Sequence, residues 1–219
     1  MRPRWWAAGA GAVSSGDNAL ATALSLIAGL DADLVAIVGL SLRVSLTAVA
    51  LGALVGLPLG AAVALFRFPG RASVAALLSA MMGLPPVVLG LMVYLALSRS
   101  GPLGVFGLLF TPGAMIIAQF FLVIPIIASL SRQVVEDLWI DYEEPLRSLG
   151  AGPGRALPTL LWDGRFSLLT AVLAGFGRAS AEVGAVMIVG GNIDQVTRVM
   201  TTAIALETSK GNLELALGL

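Results

Sequence analysis

Few side chains in this sequence can do more than pack, and those that can fall in short clusters. Arg178 and Glu182 stand four residues apart in "GFGRASAEVGAVMIVGGN", a stretch that is otherwise small and apolar. On a helix that spacing makes them neighbours on one face. A charge near the middle of a bilayer costs about 2.5–3.5 kcal/mol on insertion scales, and pairing recovers part of it. The pair reads either as a packing salt bridge or as the border of a polar passage or subunit interface. A charge reversal at Arg178 is then expected to be partly repaired by a second reversal at Glu182. As an acid or base Glu182 is a poor choice, because an adjacent guanidinium keeps a carboxylate ionised. Asp194 is the other carboxylate an intramembrane enzyme would have to use.

Other groups suit a pathway or an interface. Arg43, in "SLRVSLT", shares a helix face with Thr47 and either snorkels to the membrane surface or faces an anion. Pro85 and Pro86, in "GLPPVVLG", remove two backbone donors and predict a kink inside a span. Carbonyls freed at that depth must face protein or a water-filled cavity. Asn192, Thr201 and Thr202, in and after the turn "GGNIDQVTR", complete this candidate set.

Several chemistries are missing. The chain has no cysteine and no histidine, which removes thiolate nucleophiles, disulfides and Cys/His metal sites. No metal or cofactor is expected. The pattern GxxxxGK[ST] does not occur, and "GAGPGRA" lacks the Lys-Ser/Thr that holds phosphate and magnesium. Any hydrolysis of ATP belongs to another chain, so this one is not expected to be an enzyme.

The elements that position these residues belong in lipid. The 219 residues are 58% hydrophobic and 12% charged, about half the charge of a soluble domain. Mean hydropathy is +0.94. Net charge is zero, which argues against nucleic acid as a partner. A spanning helix takes about 20 apolar residues. Leu34 to Phe66, Val74 to Ser98, Ser100 to Ser131 (with its loop before about Pro112) and Phe166 to Ile193 all qualify. A last segment starts near Asn212 and stops at Leu219, so about five transmembrane helices are expected, with either the chain truncated or the final helix incomplete. "VMTTAIALETSKGN" is too short to cross. Residues 1–33 are expected to form a tail and a short helix, "DNALATALSLIAGL", lying at the membrane surface; residues 34–219 form the membrane domain. Ala48, Gly52, Gly56, Gly60 and Ala64 recur every four residues, which lets another helix approach closely.

One region is polar. Glu136 to Arg165 holds 9 of the 26 charges, and it is where a soluble partner would dock. Asp141, Glu143 and Glu144 ahead of "PLRSLG" predict a short amphipathic helix with acidic residues at its start, ended by Gly150. If this region is cytoplasmic, basic residues number six inside against five outside, a small positive-inside bias.

Here the sequence resembles the membrane subunits of ABC importers. That family carries a cytoplasmic loop with Glu-Ala-Ala and a Gly six residues after the Glu. Glu144 and Gly150 have this spacing, with Pro145 and Leu146 in place of the alanines. "LSLRVSLTAVALGALVGLPLGAAVALFRFPGR", "GLPPVVLGLMVYLALSRSGPLG" and "GFGRASAEVGAVMIVGGNIDQVTRVMTTAIALETSKGN" are similar to the oxyanion permeases, the last most to the tungstate type. The resemblance runs from about Leu34 to the C-terminus. It implies the MetI-like all-α fold with a coupling loop at about 134–165. Its coupling residues would be Asp141, Glu143, Glu144, Leu146, Leu149 and Gly150. It also implies a pathway formed with a second copy, ABC ATPase subunits on the cytoplasmic side, an extracytoplasmic anion-binding protein, and an inner or plasma membrane location. Tungstate is the implied cargo, with molybdate or another oxyanion as the alternative; a passive channel would leave the acidic loop unexplained.

Overall fold

The computed structural model describes residue 29, residues 32–211 and residues 213–219, without the side chains of 213–215. The tail and surface helix expected before residue 32 otherwise lie outside the described residues. All regular structure among the described residues is helical.

Helix α1 (Ala32–Leu65) coincides with the first expected span. Its 34 residues reach about 51 Å, well beyond the ~30 Å hydrocarbon layer. Asp33 in its first turn suits the partial positive charge of a helix start.

The second expected span is broken rather than kinked. Helices α2 (Arg71–Met82) and α3 (Pro86–Leu97) meet at 102°. A proline kinks a helix from its interior, but Pro86 takes the first position of a new helix, where no N–H is needed. Pro85 before it is extended, with φ −60° and ψ 126°, as a residue preceding proline must be.

The third expected span is longer than predicted. After a 3₁₀ turn (Gly104–Phe106), helix α4 (Pro112–Ser148) runs unbroken for 37 residues, through the supposed start of the polar loop. The separate amphipathic helix does not exist. Val135, Leu138, Trp139 and Leu146 keep a helical period and share one apolar cluster, so the helix has a reason to continue. Asp141, Glu143 and Glu144 therefore sit near its C-terminal end, where the dipole disfavours negative charge. Arg147 in the last turn offsets this by pairing with Glu143 at 2.6 Å. Gly150, with φ 74°, ends the helix as expected.

Helix α5 (Pro153–Asp163) leads into α6 (Arg165–Ser180) and α7 (Gly184–Gly190). The last two bend by 59° at residues 181–183, so the expected span Phe166 to Ile193 is also broken. Among the described residues, by length and composition, two helices can cross a membrane, or up to four if each bent pair is one span.

The chain divides into two units. Residues 43–191 form one, built around α4. The glycine stripe of α1 lies against it: a Cβ on Gly52 would meet Val123, one on Gly56 would meet Ile127, and one on Gly60 would strike the Ala128 carbonyl. Ser131 Oγ donates to the Leu57 carbonyl across the same seam at 3.0 Å. Gly175 of α6 packs on Val123 and Ile127. Leu78 of α2 packs with Val63 and Ala128.

The other unit holds the described residues up to Leu42 together with 192–219. It contains α8 (Met200–Lys210) and α9 (Leu213–Gly218). "GGNIDQVTR" forms the expected turn, with Asn192 and Gln195 at positive φ. Ser41 Oγ accepts the Met200 N–H at 2.7 Å, which ties the start of α8 to α1.

Candidate functional site: two helix breaks and a docking end

The break between α6 and α7 places the Arg178–Glu182 pair. Arg178 lies in the last turn of α6, but Glu182 lies beyond its end, so they do not share a helix face. They still approach, at 3.9 Å. Glu182 is held more firmly by the backbone, since its Oε1 accepts the Ala185 N–H at 2.9 Å, in the first turn of α7. The side chain is only 4% exposed. Early N–H groups of a helix have no helical acceptor, and a carboxylate there is favoured by the dipole as well. Gln119 supports the break from α4, donating Nε2 to the Ala179 carbonyl at 3.0 Å. Sequence reasoning passed over Gln119, although it is a lone amide in an apolar run.

The two breaks lie side by side. A Cβ on Gly184 would stand 2.7 Å from Val87, and one on Gly90 would stand 2.6 Å from the Ala185 Cα. Only glycine allows α3 and α7 to touch this closely. Pro85, Pro86, Arg178 and Glu182 thus belong to one neighbourhood. Arg43 does not join them: it is exposed on α1, where its carbonyl accepts the Thr47 hydroxyl at 2.6 Å. Asn192, Thr201 and Thr202 belong to the other unit. Asn192 is half-buried at the turn. Thr201 is half-buried on α8, and Thr202 is buried, its hydroxyl accepting the Val199 N–H at 3.1 Å.

The second candidate region is the end of α4. Asp141, Glu144, Leu149 and Gly150 are exposed there, and Glu143 is half-buried. Leu149 is 82% and Ile140 78% exposed, an unusual degree for large apolar side chains on a polar segment. Leu146 turns the other way and packs in the cluster of Ala61, Ala64, Leu65, Val135, Ala156 and Leu160. Tyr142 donates its hydroxyl to Asp163 Oδ2 at 2.8 Å, fastening the end of α4 to the end of α5. Trp162 and Phe166 are exposed beside them, with the Arg165 guanidinium 5.0 and 4.7 Å from their rings. Aromatic and basic side chains of this kind suit a membrane–water boundary. A braced helix end offering apolar and acidic side chains can bind a protein. Among the described residues no cluster of His, Cys, Asp and Glu could hold a metal ion.

A further cluster went unread in the sequence. Arg71 of α2 pairs with Glu136 of α4 at 2.6 Å, and Glu136 also pairs with Arg132 at 2.5 Å.

No protein-family model matches the chain. A probable anion ABC transporter permease protein of Haloferax volcanii is 44% identical over 191 residues, covering 85% of this chain and 82% of the relative. A tungstate uptake system permease protein, TupB, of Peptoclostridium acidaminophilum is 40% identical over 197 residues, covering 90% and 86%. A molybdenum transport system permease protein, ModB, of Azotobacter vinelandii is 29% identical over 168 residues, covering 73% and 74%. With apolar helices long enough to cross a bilayer and relatives of this closeness, the chain is a multi-pass membrane protein that belongs to the ABC transporter permeases of the oxyanion-importer family.

Proposed function

We propose that this chain is the membrane-spanning subunit of an ATP-driven importer for tungstate. Two relatives at 40% identity are named as tungstate uptake permeases, whereas the molybdenum relative stands at 29% and a sulfate permease at 31%. The observation that carries the coupling role is the exposed end of α4. Leu149 and Ile140 project from a helix end that Tyr142 and Leu146 hold in place. A cytoplasmic ATPase subunit would cover them, gripping Asp141, Glu143, Glu144, Leu149 and Gly150. ATP hydrolysis then resides on that separate chain, and this one supplies no covalent chemistry.

Two copies would surround one pathway in the lipid bilayer, in a MetI-like arrangement of about five spans to which each bent helix pair contributes one. Broken helices are tolerated at membrane depth where they face protein or a water-filled cavity. The adjoining breaks at Pro85–Pro86 and at residues 181–183 face each other, which supports a reading in which Arg178 borders the pathway. An extracytoplasmic binding protein would deliver the anion. The intramembrane-enzyme alternative loses ground because Glu182 is already engaged by Ala185 and Arg178.

The test is uptake of labelled tungstate by cells in which this chain is the sole copy, with unlabelled molybdate and sulfate as competitors. Uptake should require ATP, prefer tungstate and fall when Leu149→Asp disrupts the docking end. Nucleotide-independent uptake, or full uptake by Leu149→Asp, would refute the proposal.

A further inference from the structure

We infer that Arg71, Glu136 and Arg132 form an ionic joint that carries movement of the docking end into α1 and α2. The inference rests on the docking role of the α4 end. Arg71 occupies the first position of α2, just after Gly70 turns the chain with φ 87°. Its Nε donates to the Val63 carbonyl at 2.7 Å and one terminal nitrogen donates to the Ala64 carbonyl at 2.8 Å. Those carbonyls lie in the last turn of α1, where no helical N–H can reach them. The same terminal nitrogen reaches Glu136 Oε1 at 2.6 Å, while Arg132 holds Oε2 at 2.5 Å. One planar guanidinium therefore joins the end of α1, the start of α2 and the middle of α4. A lysine ammonium has no fixed fork with which to do the same.

Stability alone is a weak reason for this arrangement. Arg71 and Glu136 side chains are 34% and 32% exposed, and ion pairs so open to water contribute little. The apolar cluster of Ala61, Ala64, Leu65, Val135, Ala156 and Leu160 already packs these helices together. The location is more informative. Glu136 sits one turn before Ile140 on the same unbroken helix, so a push on the docking end moves it directly. A cleft of about 360 Å³ lined by Arg67, Arg71, Glu136, Asp137, Trp139 and Ile140 puts the joint and the docking side chain Ile140 on the same wall. Beyond the joint, α2 leads to the break at Pro85–Pro86, which abuts Gly184 after the second break. A continuous line of contacts runs from the docking end to both breaks. Arg71 and Glu136 are positioning residues on that line.

The decisive quantity is tungstate moved per ATP hydrolysed, measured in proteoliposomes holding the chain with its ATPase subunits and binding protein. A merely destabilised transporter loses both activities in proportion, whereas a broken joint lowers their ratio. Arg71→Gln and Glu136→Gln should each lower the ratio roughly tenfold, the scale of one lost charge-assisted hydrogen bond, while the ATPase subunits still copurify. The double variant should be no worse than either single one, as expected for partners in one interaction. Arg71→Lys should fall between wild type and Arg71→Gln. An unchanged ratio overturns the joint, as does an additive double variant. Loss of the ATPase subunits from both Arg71→Lys and Arg71→Gln would overturn it too, by making Arg71 a scaffold. Failure of the docking role looks different: Leu149→Asp would keep its ATPase subunits and its full ratio, whatever Arg71 does.

Discussion

Replacing Gly60 with alanine should separate two helices that the sequence holds in near contact. The added Cβ would lie 2.3 Å from the Ala128 carbonyl oxygen, 2.8 Å from Ser131 Cβ and 2.9 Å from the Arg132 nitrogen. Two of these are backbone atoms, which no rotamer change can move. α1 and α4 must therefore part by about an ångström, an overpacking penalty of roughly 1–3 kcal/mol. The Ser131–Leu57 hydrogen bond stretches as well, and such bonds in membrane proteins contribute about 0.6 kcal/mol on average. Gly→Ala also stabilises any helix interior by about 0.5–1 kcal/mol, so a control is needed. Gly39 on the same helix supplies it, since nothing lies within 4 Å of its Cβ position. Gly52 and Gly56 should fall between, because their closest contacts, at 3.1 Å, are side-chain atoms. Relative to Gly39→Ala, Gly60→Ala should lose about 2–3 kcal/mol, or about 5–10 °C in midpoint for a chain of this size. Thermal unfolding of the detergent-solubilised variants, followed by helical circular dichroism, gives the order. The packing argument fails if Gly60→Ala melts with Gly39→Ala, or if Gly52→Ala proves worse.

Gly90→Ala should similarly prise α3 from α7 and reduce transport more than it reduces protein level in the membrane, as uptake and immunoblot would report. Glu182→Gln keeps an acceptor for the Ala185 N–H and should melt near wild type, while Glu182→Leu orphans that donor and should lose about 1–3 kcal/mol in the same melting assay. Spacing alone suggests that a second reversal at Glu182 would partly repair a charge reversal at Arg178. The structure predicts the reverse, since a cation at 182 would face the start of α7 and leave Ala185 without its acceptor; uptake by the exchanged double variant should stay below that of Arg178→Glu alone.

The spans were legible where apolar runs had plain ends, as at Leu65 and Pro112. The break at Pro85 was legible as a disturbance but not as a bend of 102°, because a proline pair fits both the inside of a kinked helix and the start of a new one. The break at residues 181–183 is announced only by Gly184, which opens α7. It accompanies a carboxylate that bonds a nearby backbone N–H, a local competition that residue spacing does not reveal. The length of α4 was hidden by composition: the charges after Ser131 looked like a loop, while Val135, Leu138, Trp139 and Leu146 kept the helical period beneath them. The Glu143–Arg147 pair lies within sequence range, at i and i+4. Arg71 and Glu136 are 65 residues apart, and only the crossing of α2 and α4 brings them together. Of the candidate residues, Pro85, Pro86, Arg178 and Glu182 converge at the two breaks; Asp141, Glu144, Leu149 and Gly150 are exposed at the end of α4 while Leu146 packs inward, and Asn192, Thr201 and Thr202 belong to the other unit.

That α4 continues without interruption from Pro112 to Ser148 also fixes a count. A helix is a screw, and each residue inserted between Glu136 and Asp141 would turn everything beyond it by about 100°. A single insertion would swing Leu149 and Glu144 off toward a different side while leaving the membrane portion untouched. Seven residues would bring the angle back to within about 20° but would lift the far end by about 10 Å. Neither error can be corrected by the other, so the number of residues in that short interval is set by angle and height together. Chimaeras that trade this segment between transporters should tolerate changed side chains far better than a changed length.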